Sequence, residues 1–107
     1  MIEAVYYRSF HRLTVTGHAG AAEPGHDLVC ASASILAYTL AANVANMADA
    51  GQVRQPIIEN REGYTEISCN PRHNLKSSVT LVFDSICAGF QLLAHDYPEY
   101  VTYEIRP

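Results

Sequence analysis

The chain has 107 residues, 49% of them hydrophobic and 17% charged, with a formal net charge of −4 at neutral pH. That length suits a single domain over residues 1–107 and excludes two ordinary ones. The acidic balance argues against a binder of nucleic-acid backbone, which needs clustered Lys and Arg, and the small charged fraction suits a surface partly covered by a partner subunit.

The chain opens Met1-Ile2-Glu3-Ala4-Val5, with no basic segment and no long apolar run, so no signal peptide is expected. Ile2 to Tyr7 and Leu13 to Thr16 are rich in β-branched and aromatic residues and predict two strands, with Arg8 to Arg12 as the turn between them. Gly17 to His26 contains three glycines and a proline and reads as a loop. Asp27 ends that loop as the expected N-cap of a helix whose apolar residues Val29, Ala33, Leu36, Leu40, Val44 and Met47 recur at helical period. Gly51 marks the far end. Polar residues interrupt this segment and its period is that of a packed helix, so no membrane span is expected.

Ile57 to Glu59 and Tyr64 to Cys69 predict a hairpin around Asn60-Arg61-Glu62-Gly63. Leu75, Val79, Val82, Ile86, Phe90 and Leu93 repeat the helical spacing until Tyr97-Pro98 stops it, and Val101 to Ile105 alternates as a closing strand. The order is ββαββαβ, which predicts a two-layer α/β (α+β) domain: a mixed sheet with both helices on one face. The strand order is left open, and the other face is expected to carry some of the seven tyrosines.

Three cysteines, Cys30, Cys69 and Cys87, form no C-x-x-C pair and suit the reduced thiols of a cytoplasm. Cys30 falls three residues after Asp27, at the start of the first helix, where unpaired backbone N–H groups and the macrodipole favour negative charge. That is a common setting for a reactive cysteine. The plain alternative is a small buried hydrophobe, and this is the reading given to Cys69 and Cys87. A cysteine nucleophile needs a base within reach. His18, across the glycine-containing loop, is the first candidate and His26 the second. Asp27 serves either as helix cap or as orienter of His18. Ser34, one turn beyond Cys30, stands near the thiol or simply bonds its own helix.

Gly17-His18-Ala19 together with Gly25-His26-Asp27-Leu28-Val29-Cys30-Ala31-Ser32-Ala33-Ser34 resembles the ribosomal-processing cysteine protease family, Prp. Its members carry G-H-A and, after a short loop, G-x-D-[IL]-V-C-A-x-x-S. The resemblance implies a cytoplasmic endopeptidase that removes the N-terminal extension of a bacterial large-subunit ribosomal protein. It places the family's Cys/His pair on Cys30 and His18, with Gly17, Asp27 and Ser34 in support. It further implies a homodimer, a flexible loop over the active site matching Gly17 to His26, and cleavage after an aromatic pair, hence an apolar pocket. Pro24 is a local departure that bears on how the loop closes.

The expected activity is therefore peptide-bond hydrolysis through a thioester, with no cofactor and no metal. From a different class, a non-catalytic ribosome-associated binding module of the same fold would also fit the chain. A metal site of His18, His26 and Cys30 has suitable ligand types but no repeated pair spacing to support zinc.

Overall fold

A computed structural model describes residues 1–17 and 26–107, with the side chains of His26 and Asp27 outside the described set. Strands β1 (Ile2–Tyr7) and β2 (Arg12–Thr16) precede helix α1 (His26–Asp49). Strands β3 (Val53–Arg61) and β4 (Tyr64–Pro71) follow, then α2 (Lys76–Asp96) and β5 (Val101–Arg106). The sheet order is β3-β4-β2-β1-β5. β1 and β5 run parallel and the other neighbours antiparallel, so the sheet is mixed as expected.

Alternation sorts the sheet's faces. Ile2, Ala4 and Tyr6 of β1, Leu13 of β2, Ile67 and Cys69 of β4 and Val101 of β5 are buried under the helices. The buried line of α1 runs Val29, Ala33, Ala37, Leu40 and Val44. Ala37 therefore takes the place expected of Leu36, which is half-buried and faces α2 instead. A Cβ built on Gly89 of α2 would stand 2.6 Å from Leu36 Cδ2, so the missing side chain lets the helices meet there. On α2 the buried line is Val79, Phe83, Cys87, Phe90 and Leu93. Val82 and Ile86, expected on it, are half-buried beside the core. Both helices are long and apolar enough to pass as membrane spans by composition. Here each lays its stripe on the sheet.

The largest departure from expectation in the strands is at β3. β3 starts four residues before Ile57, because Pro56 sits in an edge strand where a bulge between Arg54 and Ile57 absorbs it. Gln55, in that bulge, takes φ +50°. The β1–β2 connection is a short 3₁₀ turn, Arg8–Phe10, ended by His11 in the left-handed conformation.

The face away from the helices is covered by a ladder of charged and aromatic side chains. Arg106 and Arg12 both lie over the ring of Tyr7, at 5.5 and 4.9 Å. Arg12 donates to Glu66 at 2.8 Å, Tyr64 donates to the other oxygen of Glu66 at 2.8 Å, and Arg61 lies over Tyr64 at 4.8 Å. Glu104 pairs with Arg106 and Glu59 with Arg61 at the two ends. The Tyr64 and Arg12 hydrogen bonds hold the Glu66 carboxyl below its ordinary range. The ladder crosses all five strands, and Thr14 and Ser68 on the same face are buried.

Candidate active site

Helix α1 begins at His26, so Asp27 is its second residue and not the residue before it, and Cys30 is the fifth. An acidic residue in the first turn still suits the helix dipole. Cys30 is half-buried and borders the core beside Val29 and Ala33. On the same face follow Ser34, Ala37 and Tyr38, at the three- and four-residue steps that bring side chains above one another.

These residues form one side of a cleft of about 400 Å³. Across it stand Ile2 of β1, Val15 of β2, Gly17, and the β3–β4 hairpin from Asn60 to Thr65. From Cys30 to Ala37 the side chains of α1 that line the cleft are only Cys, Ala and Ser, whereas Leu40 and Val44 fill the interlayer space further on. Among the described residues, no side chain fills this space beside the thiol.

Gly17 fixes the chain at the mouth. Its φ is +94°, and a Cβ on it would meet the Met1 carbonyl oxygen at 2.1 Å, so only glycine fits. Its N–H donates to the Gly63 carbonyl at 3.0 Å, tying the end of β2 to the two-residue turn Glu62-Gly63. His18, the expected base, follows directly in sequence. It lies outside the described residues, as does the loop expected to close over the site and the side chain of the rival base His26.

At the other end of the cleft Thr65 Oγ1 donates to Asn60 Oδ1 at 2.9 Å, and Asn60 Nδ2 donates to Tyr38 Oη at 3.4 Å. This chain bridges the hairpin to α1.

A model of the cysteine protease Prp family matches residues 1–102. The chain belongs to that family. A Prp-family chain is a cysteine protease, and the two-layer fold is shared with solved structures. SMU.848 from Streptococcus mutans is 31% identical with a TM-score of 0.72, over 98% of this chain and 93% of that one. The essential ribosomal processing protease Prp from Staphylococcus aureus, solved with a covalently linked product peptide, is 19% identical with a TM-score of 0.70, over 98% and 97%. No curated protein matched.

Of the residues singled out in this Prp-family sequence, the structure brings Gly17, Cys30 and Ser34 to one cleft. Cys69 and Cys87 are buried in the core, as expected, and burial pushes their thiols up to about 11 and about 12. Among the described residues, no three His, Cys, Asp or Glu side chains are placed to hold a metal ion. Sequence reasoning missed the opposite wall: Ile2, Val15, Asn60 and Thr65 sit on four different strands, and only the sheet order brings them to Cys30. Tyr38 was legible in principle, eight residues beyond Cys30 on the same helical face.

Proposed function

We propose that this Prp-family protease removes the N-terminal extension of a bacterial large-subunit ribosomal protein, acting in the cytoplasm as a homodimer. Cys30 is the nucleophile and His18 the base. The Cys30 sulfur bonds to the scissile carbonyl carbon, the C–N bond breaks, and His18 delivers the proton to the leaving amine. Water then displaces the sulfur and releases the acid. Backbone N–H groups at the start of α1 suit a developing oxyanion. Asp27, Ser34 and Gly17 support the pair, Gly17 by fixing the backbone from which His18 departs.

The observation that carries this reading is the opening of Cys30 onto an unfilled cleft, in a chain whose family is that of a cysteine protease. The S. aureus enzyme solved with a substrate peptide shares the fold. The test is cleavage of a peptide spanning the ribosomal extension. Cys30→Ala should abolish it. His18→Ala should slow it by about a hundredfold to ten-thousandfold, the usual span of a lost general base, while His26→Ala does much less. Normal cleavage by Cys30→Ala refutes the proposal, and a larger loss at His26 than at His18 moves the base.

A further inference from the structure

We propose that the Tyr38 ring, held across the cleft by Asn60 and Thr65, is the end stop of the substrate pocket and sets the largest side chain that can sit beside Cys30. The inference rests on the reading of Cys30 as the reacting thiol and adds a specificity-determining residue to it.

Along α1 the cleft's floor is Cys30, Ala33, Ser34 and Ala37, all small, and the next side chain on that face is Tyr38. Eight residues at 1.5 Å each put its backbone about 12 Å along the axis from Cys30. Side chains on a helix lean toward the N-terminus, so the phenol covers part of that distance back toward the thiol. One large uncharged side chain fits between. The interior is lined by Ile2, Val15 and the two alanines, and the charged Arg61 and Glu62 belong to the hairpin tip.

A tyrosine that is 50% exposed would ordinarily sample several rotamers. This one has a fixed partner. Asn60 has its carbonyl oxygen engaged by Thr65, which settles which way its amide points, and the amide then donates to the phenol oxygen. Asn60 is at the end of edge strand β3, paired with Thr65 of β4, so the stop is anchored to the sheet while the ring belongs to the helix. The three residues together fix both the length of the pocket and the gap between the layers at its end.

The test measures the size selectivity of the Cys30 thiol, which requires no proteolysis. Wild-type protein is alkylated with iodoacetamide, N-benzyl iodoacetamide and N-(naphthylmethyl) iodoacetamide, and rates at Cys30 are read by peptide mass and divided by the rates with glutathione. The benzyl reagent should be accepted and the naphthyl reagent excluded. Tyr38→Ala and Asn60→Ala should each raise the naphthyl rate, relative to the iodoacetamide rate of the same variant, by a factor within the range of about 10–200 that steric discrimination in a pocket supplies. Both side chains are on the surface, and circular dichroism checks that each variant folds. A naphthyl-to-benzyl ratio that stays at the wild-type value in either variant overturns the proposal. The same proteins are then given extension peptides with phenylalanine or naphthylalanine before the scissile bond. If wild type cuts neither while the alkylation ratios shift as stated, the proteolytic reading fails and the stop stands.

Discussion

The three thiols differ by what surrounds them, and this gives a direct experiment. Cys69 and Cys87 lose water on all sides, which raises their thiols to about 11 and about 12 and leaves them protonated at neutral pH. Cys30 borders the cleft. Native protein at pH 7 should therefore take up one equivalent of a thiol reagent, at Cys30, with the other two reacting only on unfolding. Mass mapping that finds Cys69 or Cys87 modified first would contradict this placement. His11 offers a second test. It is 3% exposed, with Nε2 2.7 Å from Thr80 Oγ1 and its ring edge-on to Phe83. Burial, then Lys76 and Arg8, push its pKa below the ordinary value against the opposing pull of Asp84. The unfolded chain thus takes up the proton first, so stability is full above about pH 6.5, the ordinary histidine value, and declines as pH falls toward the folded value. Thermal melts should lose midpoint between pH 7 and pH 5, and His11→Gln should flatten that slope. An unchanged slope in the variant would assign the pH dependence to other groups.

Among the elements, the helix pair depends on one missing side chain. Gly89→Ala places a methyl group against Leu36, and because the obstacle is the end of a flexible side chain the cost should be about 1–3 kcal/mol, the usual range for overpacking. Leu36→Ala in the same protein should recover part of it, and a double-mutant cycle from denaturant unfolding reads the coupling. Strict additivity would mean that the two residues do not meet. Helix periods and strand alternation made the elements legible, since each has a buried face that repeats in sequence. The exceptions have local causes. Leu36 and Ala37 adjoin on the helix, and choosing the larger as the buried one fails where the facing sheet is close. At Val82 and Phe83 the reverse holds and the larger residue takes the buried place, so size alone does not decide between neighbours on a helix. The front half of β3 was hidden by Pro56, which only an edge strand with a bulge tolerates.

For the whole molecule, both helices lie on one face of the sheet, and the arginine–tyrosine–glutamate ladder covers the other. Individual surface ion pairs contribute little, but Glu66 serves both Arg12 and Tyr64, with its side chain 17% exposed. Glu66→Ala should cost about 1.5–3 kcal/mol, the range for hydrogen bonds to a charged group, with a smaller difference in 1 M salt than in 0.1 M. Unfolding midpoints in urea measure both, and a salt-independent difference would show that the contribution is packing alone. The nucleophile's half of the candidate site was legible because its motif is contiguous on one helix. The facing wall was not, because nothing local in the sequence says that β1, β2 and the β3–β4 hairpin meet at that point.

The parallel pairing of the first and last strands has a consequence for the timing of folding. Ile2 lines the cleft, its N–H is held by the Tyr100 carbonyl at 2.7 Å, and the register then runs Ile2 with Val101 through Tyr7 with Arg106. Nearly a hundred residues separate those partners, so their contact carries the closure entropy of that long loop and forms late. A nascent chain emerges N-terminus first, which means that β1 must wait, unpaired on one edge, until residues 101–106 have been made. The wall opposite Cys30 is thus locked only once residues 101–106 have joined β1, and before that moment a nascent protease of this fold lacks one secured side of its cleft.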